Sequence, residues 1–353
     1  MFYLTLFICF ISSILITPLV KKLAFKIGAT DKPNQRKVHQ KIMPRLGGLA
    51  IYISFVIGVA ILQPEDPYFS YAAPIIAGSV IIILTGVLDD MIELSAKIKL
   101  GGQLAAALIV VIWGGVQVDV VNLPFGGQLD FGIFSIPLTI LWIVGITNAI
   151  NLIDGLDGLA AGVSSIALIT ISGMAVIMND GFVAALASIV LASTLGFLFY
   201  NFHPAKIFMG DTGALFLGYM IAVLSLLGFK NVTLISFIVP VIILGVPISD
   251  TFFAIIRRIV NKQPLSAPDK SHLHHCLLGL GYTHRQTVLI IYAMAAFFGL
   301  AAVIFSQAKV WGSFMLIAVL LILIEVFAEK IGLMGKNYKP LLKLLKMSTA
   351  KDR

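Results

Sequence analysis

Charged residues are scarce in this sequence of 353 residues. Asp, Glu, Lys and Arg together make up 12% of it, about half of the ~25% that is usual in soluble domains. Hydrophobic residues make up 59%, and the mean hydropathy is +1.01. Cysteine is scarce too, and because Cys9 and Cys276 are far apart in the sequence, we expect no disulfide framework. The composition excludes a soluble enzyme that carries a single anchor.

Long apolar stretches dominate the chain. A helix needs roughly 20 apolar residues to cross ~30 Å of hydrocarbon, and only helices or closed barrels satisfy the backbone within lipid. We therefore predict an all-α polytopic membrane protein of about eleven transmembrane helices, forming one integral membrane domain over 1–353. The predicted spans are 2–20, 46–63, 71–88, 98–115, 133–150, 159–178, 182–200, 213–229, 232–250, 286–306 and 311–329.

Lysine and arginine are unevenly distributed between the two sides that these spans define. One side holds 23 of the 25 basic residues, in the segments 21–45, 89–100, 201–212, 251–285 and 330–353. The positive-inside rule then predicts an N-out, C-in topology. The segment 251–285 becomes a cytoplasmic loop, and 330–353 a basic cytoplasmic tail that contains an interfacial amphipathic helix at 341–346. No soluble basic domain is present, so nucleic acid is not an expected partner.

Two interruptions of the apolar pattern predict local structure. The outer loop 116–132 alternates apolar and polar residues before Gly126-Gly127, which predicts a short outer β-hairpin. Gly245 and Pro247 lie near the inner end of the ninth span and predict a kink there. A bent helix could open a groove for a lipid substrate, although an ordinary kinked span explains the same residues equally well.

Carboxylates lie at the predicted inner ends of the spans, where charge beside hydrocarbon is costly and usually marks function. Asp89 and Asp90 end the third span, Asp154 and Asp157 follow the fifth, and Asp211 precedes the eighth. Carboxylate oxygens are the ligands that Mg²⁺ prefers. Aspartates are also common helix caps, so Asp211 could be a cap, a metal ligand or both.

Polar side chains with helical spacing surround the second of these acidic clusters. Asn151, Asp154 and Asp157 follow one another at intervals of three residues, which places them along one side of a helix or helix-like turn. Gly155 and Gly158 between them allow a ligand or another helix to approach closely.

Histidines are concentrated in the predicted loop after the ninth span. Ligands as close in sequence as His272, His274 and His275 converge poorly on a tetrahedral zinc ion. A phosphate-binding or base-binding loop is favoured instead, because imidazole can donate, stack or carry charge. His203, which precedes a proline, is interpreted as structural, and His284 as a loop residue.

The four predicted inner loops place acids, imidazoles and basic residues on one membrane face. This combination favours phosphoryl transfer between a soluble nucleotide and a lipid. A secondary transporter is the alternative from another class. Transporters bind near the middle of the bilayer and often contain inverted repeats, and neither feature is visible in this sequence.

Four motifs carry a resemblance to a known family. They are GVLDD ending at Asp90, NAINLIDGLDG ending at Gly158, FMGDTG ending at Gly213 and HLHH ending at His275. In this order and over nearly the whole chain, they resemble the polyprenyl-phosphate N-acetylhexosamine-1-phosphate transferases of the MraY-like superfamily. The HxHH form resembles the branch that begins wall teichoic acid, enterobacterial common antigen and O-antigen synthesis. Glu93 departs from members that have aspartate there.

The resemblance implies an activity and a location. N-acetylglucosamine-1-phosphate would pass from UDP-N-acetylglucosamine to undecaprenyl phosphate, giving the lipid diphosphate sugar and UMP, with Mg²⁺ or Mn²⁺ as cofactor. The enzyme would be a multi-pass protein of the bacterial plasma membrane, surrounded by membrane lipid, with its active site on the cytoplasmic face. Whether it acts as a monomer or a homodimer stays open.

The resemblance also implies roles for individual residues. Asp211 and Asp90 would be metal ligands, and the catalytic residues would be Asp89, Asp90 and Asp154. The substrate-binding residues would be Asn151, Asp157, Asn201, Arg258, His272, His274 and His275. A phosphomonoester is mostly dianionic at pH 7, since its second pKa is ~6. We therefore expect a single displacement in which Asp89 mainly positions and secondarily acts as a base; the rival route forms a covalent phospho-aspartate.

Overall fold

The computed structural model describes residues 1–31, 42–63, 69–123, 125–228, 234–264, 269, 271–335 and 338–344. These residues form thirteen α-helices and two small antiparallel sheets. The helices are α1 (Phe2–Ile27), α2 (Gly48–Leu62), α3 (Phe69–Ile92), α4 (Ala96–Leu108, extended by a π-helical turn Ile109–Trp113), α5 (Ser135–Ile153), α6 (Leu159–Ile177), α7 (Gly181–Asn201), α8 (Gly210–Gly228), α9 (Leu234–Ile243), α10 (Gly245–Val260), α11 (Leu273–Gly279), α12 (His284–Gln307) and α13 (Val310–Ile331). The strands are β1 (Thr30–Asp31), β2 (Met43–Pro44), β3 (Val120–Asn122) and β4 (Gln128–Asp130).

Nine helices of the described residues are long and apolar enough to cross a membrane. They coincide with nine of the predicted spans. The predicted span 46–63 contains the shorter apolar helix α2, and the predicted span 232–250 is divided between α9 and α10. The prediction of a multi-pass helical membrane protein is confirmed, whereas the total of about eleven spans and their orientation stay predictions.

Helix α8 lies at the centre of the bundle. It packs against α3, α5 and α6 and also contacts α2 and α7, so nearly all of its residues are buried. At its N-terminus α3 comes very close, because Gly86 has no side chain: a Cβ there would lie 2.5 Å from the Cα of Thr212. This close approach brings the acidic end of α3 to the first turn of α8.

The predicted β-hairpin is present. Strands β3 and β4 pair in antiparallel register, with Val120 opposite Asp130 and Asn122 opposite Gln128. At the tip, the ring of Phe125 stacks on Phe314 of α13 with their centroids 6.0 Å apart. The hairpin prediction is therefore confirmed, and the hairpin packs against the last helix of the bundle.

The predicted kink is a break between two helices. Helix α9 ends at Ile243 and α10 begins at Gly245. Pro247 has no N–H to continue the hydrogen-bond ladder of α9, which explains a break at this position. The predicted loop 251–285 is largely helical, because α10 continues to Val260 and α11 occupies part of the remainder.

The C-terminal segment is only partly described. The buried carboxylate of Glu329 in α13 accepts hydrogen bonds from Leu341 N at 2.7 Å and Leu342 N at 2.8 Å. These contacts begin a helical turn over 340–344. The rest of the predicted amphipathic helix and the end of the basic tail lie outside the described residues.

Candidate active site

A cavity of about 620 Å³ opens where the ends of several helices meet. The elements around it are the last turn of α3, the α5–α6 turn, the α7–α8 connection, the first turn of α8, α11 and the start of α12. Its carboxylates and imidazoles are Asp31, Asp90, Asp154, Asp157, Asp211, His203, His274, His275 and His284. The structure thus brings the four predicted motifs together in one cavity.

Asp90 caps the N-terminus of α8. Its Oδ1 accepts a hydrogen bond from Asp211 N at 3.0 Å, and its Oδ2 accepts from Thr212 N at 3.0 Å and Thr212 Oγ1 at 2.6 Å. The Nε of Arg45 lies 3.3 Å from Oδ1. Because a carboxylate offers about four acceptor positions, this arrangement favours positioning of Asp211 over direct ligation of a metal by Asp90.

Lys99 of α4 joins two of the predicted acidic residues. Its Nζ lies 2.9 Å from Asp211 Oδ2 and 3.2 Å from Asp89 Oδ2. The other oxygen of Asp89 accepts from Leu94 N at 2.7 Å, and the side chain of Asn151 lies beside Asp211. Asp89 therefore lies directly behind the cavity wall. The carboxylates of Asp89 and Asp211 both contact the ammonium group of Lys99.

Asp154 lies at the end of α5, in the turn that leads into α6. Burial raises the pKa of its carboxyl to about 8, and the negative charges of Asp211, Asp90 and Asp157 add to this effect. Below that pH the proton stays on Asp154 in the absence of a cation. A group of carboxylates that repel one another in this way is suited to bind positive charge.

Asp157 forms a cluster with two histidines at the cavity wall. Its Oδ2 lies 2.8 Å from His203 Nδ1 and accepts from Ala205 N at 3.1 Å, and His203 stacks on His284 with centroids 4.2 Å apart. The ligand atoms of these three residues are near enough to share an ion. The two rings are only 22° from parallel, so their in-plane lone pairs do not converge as a metal site requires.

The interpretation of His284 is corrected by this geometry, whereas the contact of His203 with Asp157 agrees with a structural role. His284 begins α12 and is no plain loop residue, and both rings line the cavity. Asn201, predicted to bind substrate, also lines the cavity. Its Oδ1 accepts from Gly158 N at 3.1 Å and its Nδ2 donates to Ile207 O at 3.0 Å. The amide of Asn201 thus holds two backbone segments in place.

The histidine motif forms the start of α11. His274 is buried against the Asp154 turn: a Cβ on Gly155 would lie 2.3 Å from its Nε2. Burial, with a contribution from His275, lowers the pKa of His274 to about 3, so this imidazole is neutral at physiological pH. His274 can therefore offer a hydrogen bond to a substrate but no positive charge.

Three predicted substrate-binding residues are absent from the described cavity wall, namely Asn151, His272 and Arg258. His272 precedes α11, and its ring turns away toward Asp250. Arg258 is buried near the end of α10, and its Nε has no hydrogen-bond partner among the residues that the structure describes. Neither His272 nor Arg258 lines the cavity. The structure therefore does not support direct contact between these two side chains and a substrate.

Sequence reasoning missed several residues that the structure brings to the site. Arg45 and Lys99 supply the positive charge around the acids, and Asp250 holds His272. The sequence indicated that basic residues of these segments lie on the same membrane face as the acids, but it did not single out Arg45 or Lys99. Nothing in the spacing of the sequence pairs Lys99 with Asp211 across 112 positions.

The donor set fits a hard divalent cation. Asp154 and Asp211 line the cavity, and Asn151 contacts Asp211, so carboxylate and amide oxygens predominate. Such oxygens suit Mg²⁺ or Mn²⁺ better than metals that prefer nitrogen or sulfur. The bridging ammonium of Lys99 shows that Asp89 and Asp211 are placed to share positive charge.

A second, apolar cavity of about 470 Å³ lies between α5 and α10. Its walls are formed mainly by side chains such as Leu141, Trp142, Ile248, Phe252 and Ile255. Its lining residues from α10 begin at Ile248, about one turn after the break between α9 and α10. A groove for a lipid substrate beside α10 stays a prediction, with an ordinary kinked span as its alternative.

Comparison with known proteins identifies the family. The chain matches the model of Glycosyl transferase family 4 over residues 72–229. It is 54% identical to a probable undecaprenyl-phosphate N-acetylglucosaminyl 1-phosphate transferase of Bacillus subtilis, over 94% of this chain and 93% of the relative. A decaprenyl-phosphate N-acetylglucosaminephosphotransferase of Mycolicibacterium smegmatis is 38% identical, over 87% and 84%. An undecaprenyl-phosphate alpha-N-acetylglucosaminyl 1-phosphate transferase of Escherichia coli K12 is 29% identical, over 78% and 76%.

The helices, the acidic cavity and these relatives define a multi-pass membrane enzyme that transfers a phosphate-linked group. More particularly, the chain belongs to glycosyl transferase family 4, as a member of the polyprenyl-phosphate N-acetylhexosamine-1-phosphate transferases that its four motifs resemble.

Proposed function

We propose that this protein transfers N-acetylglucosamine-1-phosphate from UDP-N-acetylglucosamine to undecaprenyl phosphate, releasing UMP. The convergence of Asp154, Asp211 and His275 from three separate elements on one cavity carries this proposal. The printed names of the relatives support the acceptor and the transferred group. The reaction would be the first membrane step in synthesis of a cell-envelope polysaccharide of the wall teichoic acid or O-antigen type.

The proposed site lies on the cytoplasmic face of the bacterial plasma membrane. The N-out, C-in topology supports this, because it puts 23 of the 25 basic residues on the side that carries the acidic cavity. The prenyl chain of the acceptor would occupy the apolar cavity beside α10, whose walls are almost entirely nonpolar. A soluble nucleotide sugar and a lipid phosphate could then meet at the water boundary.

The residues take distinct roles in this proposal. Asp211 would hold the divalent cation, with Asp154 and Asn151 nearby, and Asp90 would keep Asp211 in position through the cap of α8. Asp157, His274 and His275 would line the donor pocket. When bound, the cation would supply positive charge that offsets repulsion between the phosphate groups. Lys99 and Arg45 add charge from the protein itself.

The mechanism we propose is a single displacement. An oxygen of the lipid phosphate bonds to the phosphorus that carries the sugar, and the bond from that phosphorus to UMP breaks, so UMP leaves with the electron pair. The dianionic acceptor has no proton to lose. The contacts of Asp89 with Leu94 N and Lys99 favour a positioning role over attack on a substrate.

Isotope exchange separates this mechanism from a covalent one. In rigorously lipid-free enzyme, labelled UMP is expected to enter no UDP-N-acetylglucosamine, because a single displacement requires the acceptor. A phospho-aspartate route would allow the exchange without any acceptor. Adding undecaprenyl phosphate should restore the exchange and serves as the positive control.

The decisive test of the function is a reconstituted assay. Purified protein is supplied with UDP-N-acetylglucosamine, undecaprenyl phosphate and Mg²⁺, and UMP is measured, with other UDP-sugars as competitors. We expect UMP release that requires both substrates and stops on chelation of the metal. A transporter would release no UMP, and stronger turnover of another UDP-sugar would change the assigned donor.

The substitution Gly155→Ala tests the contact between the Asp154 turn and the histidine helix. The new Cβ would lie 2.3 Å from His274 Nε2, and such overpacking costs about 1–3 kcal/mol. We expect kcat/KM to fall about tenfold or more. Gly279→Ala is the matched control, because a Cβ at that position of α11 meets nothing within 4 Å. Equal activity of both variants would contradict the proposed contact.

A further inference from the structure

Asp250 is a buried carboxylate outside the described cavity wall. It lies in α10, is 2% exposed, and its Oδ2 is 2.9 Å from His272 Nδ1. Its Oδ1 accepts a hydrogen bond from Leu273 N at 2.8 Å. Both oxygens therefore hold the residues at which α11 begins, although the resemblance to the family assigned no role to this aspartate.

The contact determines how His272 is held. The hydrogen bond between His272 Nδ1 and Asp250 Oδ2 orients the imidazole ring of His272. The ring of His274 lies parallel to that of His272, within 3° and with centroids 6.2 Å apart. Because His272 is the N-cap of α11 and Leu273 its first residue, the contacts of Asp250 hold the start of the helix that carries the cavity histidines.

A second contact between the same two segments acts in the same direction. Arg257, two turns along α10, bonds to Asp269 Oδ2 through its Nη2 at 2.6 Å. Asp269 in turn accepts from Ser271 N at 2.8 Å. This face of α10 therefore holds the chain immediately before α11.

The opposite face of α10 has different neighbours. Ile248, Phe252 and Ile255 recur at intervals of three and four residues and line the apolar cavity, as one face of a helix does. Helix α10 thus lies between the apolar cavity and the histidines. A change in the position of Asp250 relative to α11 would alter the donor side of the site directly.

We propose that Asp250 is a positioning residue, which sets the place of the histidine helix α11 relative to the helix that lines the apolar cavity. This inference rests on the proposed function, because the proposed function assigns α11 to the donor pocket. It predicts that a carboxylate without substrate contact controls the affinity for the nucleotide sugar.

The test is Asp250→Asn, which preserves size but leaves one acceptor oxygen in place of two. We expect KM for UDP-N-acetylglucosamine to rise about ten- to one-hundredfold, as for loss of a buried hydrogen bond to a charged group. KM for undecaprenyl phosphate should change much less. Asp130→Asn is the matched control, because Asp130 also accepts from a backbone N–H but lies in the hairpin, and is exposed.

Variants of His272 extend the test if Asp250→Asn does not fold. His272→Asn keeps a side-chain N–H for Asp250, and His272→Leu does not, so we expect the leucine variant to lose about ten times more kcat/KM. Combining Asp250→Asn with His272→Leu should cost no more than the worse single change. Unchanged donor KM in Asp250→Asn, equal losses in the two His272 variants, or multiplying effects would each overturn the proposal.

Titration with UMP alone keeps this inference separate from the proposed function. If the wild-type protein binds UMP and Asp250→Asn binds it at least about tenfold more weakly, the positioning role holds even without turnover. If the wild-type protein turns over substrates and Asp250→Asn binds UMP normally, only the inference fails. A wild-type protein that neither binds nor releases UMP would overturn both.

Discussion

Asp211→Asn is expected to lower UMP release by at least about 10³-fold while leaving the protein folded. Asp211 is the residue on which three independent contacts converge: Asp90 on its backbone N–H, Lys99 on its carboxylate and Asn151 beside it. Asparagine keeps the shape of the side chain. It removes the charge that we propose holds the divalent cation, and several kcal/mol of stabilisation of the phosphoryl transition state would be lost.

The stability of Asp211→Asn should change little, although its activity falls. Asp211 lies among the carboxylates of Asp89, Asp90 and Asp154, so loss of its charge relieves repulsion and offsets the lost contact with Lys99. We expect Tm to change by less than about 2 °C, measured in detergent beside the UMP assay. Asp180→Asn is the matched control: Asp180 caps α7 by accepting from Val183 N at 3.0 Å, and asparagine caps equally well.

If Asp211→Asn retained its activity, the proposed metal site at Asp211 would be wrong. If Tm and activity both fell strongly, Asp211 would be interpreted as a structural helix cap. The sequence left this role open as an alternative. Because the control also replaces an aspartate at a helix N-terminus, a loss confined to Asp211→Asn cannot be attributed to helix capping.

Asp90→Ala is the second change with a large expected effect, and it should affect stability as well as activity. Alanine leaves the N–H groups of Asp211 and Thr212 without their acceptor, and it removes the carboxylate that pairs with Arg45, which keeps its hydrogen bond to Asp89 O. Breaking a buried ion pair costs about 3–5 kcal/mol. For 353 residues, that corresponds to a fall in Tm of roughly 4–7 °C.

Activity of Asp90→Ala should fall at least about 10²-fold, because Asp211 loses the contact that orients it. Thermal unfolding and UMP release measured on the same preparation distinguish the two roles of Asp90. An inactive variant with unchanged Tm would favour the metal ligation that the family resemblance implied. Asp90→Asn, which retains one acceptor oxygen, is expected to lie between alanine and wild type in both measurements.

Local features of this protein were predictable because local physics decides them. The apolar length of a segment determines whether it can span a bilayer as a helix, and nine such helices are present in the described chain. The alternation in 116–132 predicted the hairpin, and Gly245 and Pro247 predicted the break before α10. Each of these predictions depends only on residues within one contiguous segment of the chain.

The roles of individual side chains were less predictable, because they depend on partners that are distant in sequence. Asp90 and Asp211 looked equivalent as carboxylates, yet one faces backbone N–H groups and the other faces Lys99. His272 and His275 belong to one motif, yet only His275 lines the cavity. A motif specifies which residue types are present, whereas their orientation follows from the packing of whole helices.

The sequence by itself determined that this chain is a helical membrane protein with acids and imidazoles at the ends of its apolar segments, since hydropathy and spacing are properties of adjacent residues. Only the tertiary structure decided that α3 and α8 approach at Gly86 closely enough for Asp90 to cap α8. It also decided that Asp250 lies behind the histidine helix. Contacts across more than one hundred positions, such as that of Lys99 with Asp211, exist only after the helices have packed, because no local preference of the chain encodes them.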